Sequence, residues 1–290
     1  MIAGMSASAC GTVPFLQTTA AVTHHEAVSS RYFLLRLRCA EIARRAQPGQ
    51  FVMLACAPDC GGHGEPLLPR PLAILDARGG EIELLYFVAG RGTEILHATA
   101  SSRGSAALRI IGPLGRGFTP IPGVDAHVAL GGGSGVAPLV FFFRRCAPAD
   151  GAGWHLVLAA RSAEQLARED VVRAPGELHR ATDDGSAGLR GTAVDALKTL
   201  LDGPLHGRRV GIYAAGPEKM MEAAAQLGRE RRLPARVSLE QRMACGVGVC
   251  RACVVDGTTP HAKTGLFRRT VCQDGPVFDI EELAHFGCSL

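Results

Sequence analysis

Aromatic side chains are scarce in this chain of 290 residues: one Trp, three Tyr and 11 Phe, 5% in all. Its 31 Lys and Arg are scattered rather than gathered. A nucleic-acid binder concentrates basic side chains in a patch and interleaves aromatics for stacking. Scarcity and scatter together exclude that class. The formal net charge of +4 is mild. GRR at 207–209 and RERR at 229–232 read as solvated ends of elements. Long apolar runs are also missing. The most apolar stretch, VAPLVFFF at 136–143, falls far short of the roughly 20 residues that a membrane-spanning helix requires. The opening MIAGMSASACGTVPF lacks the positive n-region and long apolar h-region of a secretory signal. It reads as a frayed tail, with a cytoplasmic location as the default.

Cysteine, by contrast, is plentiful, with ten in the chain. Cytoplasmic thiols stay reduced, so disulfides are not the explanation. Apolar residues make up 47% of the sequence. That content supplies a sizeable core, and the length allows two domains with an appendage.

The chain falls into three stretches after a tail at 1–17. From 18 to 122, TTAAVTHHEAV, YFLLRLRC, QFVMLAC, PLAILDA, EIELLYFVAG and SAALRIIGPLG are short β-favouring runs. Turn signals such as QPGQ and ARGG break them up, a pattern that predicts an antiparallel sandwich or barrel. APDCGGHGEPLLP, residues 57–69, is a loop by composition. From 123 to 237, strand-like AHVALGG, WHLVLAAR, ELHRATDD, RVGIYAAG and ARVSLE alternate with helical VAPLVFFFRRC, SAEQLARED, TAVDALKTLL and PEKMMEAAAQLGRERR. That alternation predicts a parallel sheet in an α/β domain. From 238 to 290 the chain is Gly-rich and too small to bury a core of its own.

This last stretch carries the sharpest motif. In MACGVGVCRACVV, Cys245, Cys250 and Cys253 stand in a C-x4-C-x2-C spacing, and Cys272 follows in VCQDGPVF. That is the plant-type spacing for a 2Fe–2S cluster. Gly246 and Gly248 let the backbone bring N–H groups close to the sulfurs. Zinc, which usually takes two CxxC or equivalent pairs, and unligated structural thiols are the alternatives. Cys10, Cys39, Cys56, Cys60, Cys146 and Cys288 have no such spacing and read mostly as small buried hydrophobes.

Two further motifs point to phosphates. VALGGGSGVAPL runs from a strand through Gly131, Gly132, Gly133 and Gly135 into a helix, an arrangement that suits a dinucleotide pyrophosphate and equally any tight strand-to-helix turn. LPRPLAIL with VAGRGTEIL offers the planar fork of Arg70 and the small residues Gly90, Gly92 and Thr93 to an anion; taken alone, Arg70 reads first as a surface arginine beside a strand entry. YAAGPEKMM puts Ala-Gly-Pro at a strand end, where open α/β sheets hold ligands, and equally reads as helix capping with Pro217 in the first turn; Met220 and Met221 read as core. No Ser/His/Asp triad, paired-carboxylate site or metal-spaced His cluster stands out, so no catalytic residue is assigned. Asp183 and Asp184 read as loop acids.

In order, RPLAI, GRGT, GPLGRGF, GGGSGVAPL, ATDDGSAGLRG, AAGPEKMM, SLEQRMACGVGVCRACVV and VCQDGPVF resemble the electron-transfer subunit of NAD-dependent (class 1B) dihydroorotate dehydrogenase, within the ferredoxin-reductase-like superfamily. The resemblance implies a multidomain α+β chain with an antiparallel β-barrel FAD domain, a parallel α/β NAD-binding domain and a small C-terminal 2Fe–2S domain. By position it implies that Arg70, Pro71, Leu72, Ala73, Phe87, Val88, Ala89, Gly92 and Thr93 hold FAD. Gly131, Gly132, Gly133, Gly135, Ala215, Gly216 and Pro217 would hold NAD, and Cys245, Cys250, Cys253 and Cys272 the cluster. The implied partner is an FMN-containing catalytic subunit, in a heterotetramer of two of each. The implied route, in pyrimidine biosynthesis, runs from dihydroorotate through FMN, 2Fe–2S and FAD to NAD+. Ala73 stands where family flavin motifs often carry Ser, and Ala215 where related reductases often carry Cys, so the details of hydride positioning differ. Arg161 follows the second α/β strand and leaves NADP as the alternative nicotinamide. The alternatives in function are a related subunit of a sulfide dehydrogenase, a sulfhydrogenase or an NADH-ferredoxin:NADP transhydrogenase, and, outside the enzymes, a zinc-stabilised binding module.

Overall fold

The computed structural model describes residues 15–58, 66–102 and 106–284. Cys10, Cys60 and Cys288 therefore lie outside the described residues.

The first stretch forms β1 (Leu16–Ala27), β2 (Tyr32–Arg38), α1 (Ala40–Arg45), β3 (Phe51–Leu54), β4 (Arg70–Arg78), β5 (Glu81–Phe87), α2 (Arg91–Ser101) and β6 (Ala107–Leu114). The six strands close into an antiparallel barrel in the order β1-β2-β5-β4-β3-β6. Alternation in these runs turns Leu35, Leu37, Val52, Leu54, Ile74, Leu84 and Ile110 into one buried cluster, because successive strand residues face opposite ways. Strand β1 already begins at Leu16, inside what the sequence gives as tail. The helices α1 and α2 were not anticipated; both are short and sit in connections.

The second stretch forms β7 (Ala126–Gly132), α3 (Val136–Cys146), β8 (Trp154–Ala160), α4 (Glu169–Val172), β9 (Glu177–Thr182), β10 (Leu189–Arg190), α5 (Ala193–Asp202), β11 (Val210–Ala215), α6 (Glu218–Arg231) and β12 (Ala235–Ser238). The third adds β13 (Val254–Asp256), β14 (Arg268–Thr270) and β15 (Val277–Asp279). The main sheet has the order β10-β9-β8-β7-β11-β12-β15. It is parallel except for β15, which runs antiparallel to β12. SAEQLARED, expected to be one helix, is a single 3-10 turn at Ala163–Gln165 and then the short α4. Helix α5 begins at a reciprocal cap: the Asp195 N–H donates to Thr192 Oγ1 (3.2 Å) and the Thr192 N–H donates to Asp195 Oδ2 (2.9 Å). Such a cap satisfies two N–H groups that the first turn leaves without partners.

Helix α3 joins barrel and sheet. Phe141 belongs to the barrel core, while Phe142 and Phe143 pack with Trp154 and Tyr213 of the sheet. Burying each Phe contributes about 1.5–3 kcal/mol. At the same joint, Arg144 Nη1 lies 2.8 Å from Asp76 Oδ2 and 3.7 Å from Glu83 Oε2. Among the described residues, no helix is long and apolar enough to cross a membrane.

Candidate redox site at the junction of barrel, sheet and cysteine loop

Three groups of residues meet where barrel, sheet and C-terminal stretch adjoin. The first is on the barrel. The Arg70 guanidinium lies directly over Gly92 in the first turn of α2, so closely that a Cβ at Gly92 would collide with it. The Ala89 and Gly90 N–H groups donate to Thr93 Oγ1 at 2.8 and 3.2 Å, which shapes the turn into the helix. A helix N-terminus beside a fixed cation is an anion site, and it fits a pyrophosphate. Val88 is exposed, as is Leu68, whose carbonyl accepts from Arg70 Nη1 at 2.7 Å. Leu72 instead turns to the barrel interior.

The second group is at the C-terminal ends of β7 and β11. These strands are adjacent, with Ala215 paired to Gly131. Later strands leave β7 in opposite directions across the sheet, so the crevice between them is the switch point at which such sheets hold ligands. The two turns approach backbone to backbone. A Cβ on Gly135 would lie 2.5 Å from the carbonyl of Ala215, and one on Gly216 would lie 2.8 Å from the Gly132 oxygen. Pro217 Cδ occupies the space beside Gly132. The bare backbone of this crevice suits a dinucleotide.

Tyr32 connects the two groups. Its ring meets Phe87 edge-on at 5.9 Å. A Cβ on Gly133, whose φ is +59°, would lie 2.5 Å from its hydroxyl. Ala73, Phe87 and Ala215 pack into one apolar cluster with Tyr32 and Val136. Glu240, two residues beyond β12, acts on Tyr32 through its charge; burial and then Glu240 hold the tyrosine hydroxyl above its ordinary value, against the opposing charge of Arg31. The Glu240 side chain keeps solvent contact but is hemmed in by protein, and this desolvation pushes its carboxyl up. Sequence reading passed over Glu240, because nothing in SLEQ marks a carboxylate that the fold returns to the crevice.

The third group is the cysteine loop. Cys253 and Cys272 are buried, Cys245 is half-buried and Cys250 is exposed. Backbone N–H groups point at the sulfurs: Val247 and Cys250 donate to Cys245 Sγ, each at 3.4 Å, and Gly248 donates to Cys272 Sγ at 3.1 Å. Burial raises the Cys245 thiol, but the N–H groups of Cys250 and Val247 outweigh it and bring the thiol down to about 7. Cys253 falls to about 6, chiefly because the Cys272 thiol donates a hydrogen bond to it. Cys272 rises as the partner that keeps the proton. Converging thiols with N–H donors aimed at them fit a thiolate-ligated metal cluster. Asp274 holds the second segment in place by accepting from the Thr270 N–H at 2.6 Å and pairing with His261 Nε2 at 3.0 Å.

The loop rests on the barrel. Gly246, with φ +71°, leaves room for the buried Met53 of β3, and a Cβ there would strike its side chain. Met53 pairs across the ladder with Pro71 of β4, and Phe51 with Ala73. The structure thus brings together the cysteines, the Pro71–Ala73 strand, the glycine crevice and Tyr32.

Comparison with known proteins agrees with this arrangement. A family model for the iron–sulfur cluster binding domain of dihydroorotate dehydrogenase B matches residues 240–284. The electron-transfer subunit of dihydroorotate dehydrogenase B (NAD(+)) of Desulforamulus reducens is 36% identical over 256 residues, which are 87% of this chain and 92% of that protein. The corresponding subunit of Bacillus caldolyticus is 33% identical over 90% of this chain and 96% of its own length. Among solved structures, an NADH-dependent reduced ferredoxin-NADP oxidoreductase superposes with a TM-score of 0.74 at 26% identity, covering 92% of this chain and 90% of that one. The ferredoxin reductase of carbazole 1,9a-dioxygenase shares the fold, with a TM-score of 0.60 at 19% identity over 77% of this chain and 68% of its own. By its near full-length similarity to the curated subunits, the chain belongs to the family of electron-transfer subunits of dihydroorotate dehydrogenase B.

Proposed function

We propose that this chain relays electrons from an FMN-containing dihydroorotate dehydrogenase catalytic subunit to NAD+, in an assembly of two copies of each. One observation carries the reading. The β3–β4 pair meets the cysteine loop at Met53 and presents Pro71 and Ala73 beside it, while Tyr32 meets the glycine crevice at Gly133. Three candidate cofactor sites thus meet at one junction.

When bound, a flavin exchanges hydride with a nicotinamide and single electrons with an iron–sulfur cluster, which makes it the converter between the two. The protein's part is to hold and align. Arg70 and the α2 N-terminus would bind the FAD pyrophosphate, with Pro71, Leu72, Ala73, Phe87, Val88, Ala89, Gly92 and Thr93 around the cofactor. Gly131, Gly132, Gly133, Gly135, Ala215, Gly216 and Pro217 would carry NAD. Cys245, Cys250, Cys253 and Cys272 would ligate a 2Fe–2S cluster. Val249, 80% exposed between two of these cysteines, lies on the loop that also exposes Cys250. An apolar tip beside the cluster loop suits a docked partner.

The test is Cys245→Ser in the purified complex. Electron transfer from dihydroorotate to NAD+ should be abolished, while NADH still bleaches the flavin of the isolated chain. Full NAD+-dependent activity in that variant would sink the proposal. Metal and flavin analysis separates the other readings. A colourless protein with zinc and no flavin would indicate a binding module.

A further inference from the structure

Far from the redox junction, β8 and β9 place three metal-ligand side chains together. His155 is opposite Glu177 and Val157 is opposite His179 in the parallel register. Residues two apart on a strand share a face, so His155, Glu177 and His179 project from the same side. Val157 and Ala181 on that side pack with Leu197, Leu200 and Leu201 of α5.

The donor atoms converge. His155 Nδ1 is 3.2 Å from His179 Nε2. Glu177 Oε2 is 3.5 Å from the first of these nitrogens and 3.8 Å from the second. The point equidistant from the three atoms lies about 2 Å from each, within the range of zinc bonds to imidazole nitrogen and carboxylate oxygen. We propose that His155, Glu177 and His179 form a binding site for a zinc-class divalent cation, with water as the fourth ligand, that clips β8 to β9.

The surroundings suit this. His155 is buried, His179 is partly buried and Glu177 is exposed, so the site has a fixed floor and an open mouth. Burial lowers the proton affinity of both imidazoles, which keeps them in the neutral, lone-pair form that a metal takes. Glu177 supplies a negative charge, and Arg208 is the opposing positive charge that acts on His155. Strand β9 is followed in the sheet only by the two-residue β10. A cross-strand ligand set would therefore pin a weakly supported edge. His155 and Glu177 stand at the N-terminal ends of their strands, about 13 Å of strand below the level of Gly132, and His179 lies about 7 Å below that level, two strands across the sheet from β7. The proposal is thus independent of the redox reading.

Zinc and cobalt(II) are the probes, added to the cofactor-loaded chain while the visible absorbance of flavin and cluster is followed. One equivalent of zinc should bind and raise Tm with that absorbance unchanged. Cobalt should give ligand-field bands without thiolate-to-metal charge transfer. Glu177→Gln, at an exposed position, and His179→Ala should each weaken binding about a hundredfold, above the usual cost of losing an outer-shell partner. Binding that is undiminished in Glu177→Gln, or a cobalt spectrum with thiolate charge transfer, overturns the proposal. So does a wild-type chain that takes up no zinc.

Discussion

Glu240 carries a testable consequence at the scale of one residue. Its carboxyl keeps solvent contact but is held above the ordinary value of 4.5 by the protein packed around it, so the folded chain binds that proton more tightly than the unfolded chain does. The sign follows from proton linkage. Below the ordinary value both states are protonated and Glu240 costs nothing. As pH rises through the folded value, the unfolded state ionises freely and the folded state does so at a cost. Glu240→Gln should therefore melt higher than the wild type at neutral pH and at the same temperature near about pH 4. Parallel melting curves across that range would show that the carboxyl is not desolvated in the fold. The contrast with the cysteines shows what single residues reveal in sequence. Cys245, Cys250 and Cys253 announce themselves because they keep a fixed spacing on one loop. Glu240 lies close enough to act through its charge on Tyr32, more than 200 positions earlier, and no local pattern encodes that approach. His155, Glu177 and His179 escaped for the same reason, because strand register brings them together rather than chain proximity.

At the scale of an element, α3 is the joint. Its residues from Val136 to Phe143 are all buried because they face the barrel and the sheet at once. Phe141→Ala should cost about 3–5 kcal/mol, as large-to-small changes at buried aromatics do. In a urea titration this would appear as a lower midpoint with an unchanged slope. A loss below about 1 kcal/mol would mean that the helix can settle without its barrel contact. The helix was legible from the Gly-rich turn before it and the length of its apolar run. Helix α2 was not, because RGTEILHATAS begins at glycines that read as a phosphate loop. They form both the loop and the first turn. SAEQLARED misled in the other direction: its residues favour helix, but the chain at Arg168 is drawn to the barrel, where its N–H donates to the Val28 carbonyl at 3.0 Å and its guanidinium reaches Glu26 at 3.1 Å.

The whole molecule presents its cysteine loop outward. Val249, Leu266 and Phe267 are exposed by 80%, 51% and 56% on the C-terminal stretch, where a soluble surface would ordinarily be polar. Val249→Asp should weaken capture of the catalytic subunit by about tenfold or more, with flavin reduction by NADH in the isolated chain unchanged. Undiminished complex formation would move the docking face elsewhere. The three-part architecture was readable because each part has its own period: alternation in the barrel, strand–helix alternation in the sheet, cysteine spacing at the end. The way the last part is bound in was not. Strand β15 adds to the parallel sheet, the Arg116 side chain donates to the Val277 carbonyl at 2.8 Å and pairs with Glu282, and Gly246 receives Met53.

That threading has a consequence for biosynthesis. A chain made from its N-terminus folds its earlier domains first. Here the barrel strand β3 and the edge strand β12 leave the ribosome with surfaces that only residues beyond 240 will cover. The nascent chain must wait with those faces open, and the pocket that takes iron and sulfide is enclosed only at the final stage. Delivery of the inorganic cofactor and closure of the seam between barrel and sheet thus fall in the same late interval, when the residues beyond 240 emerge.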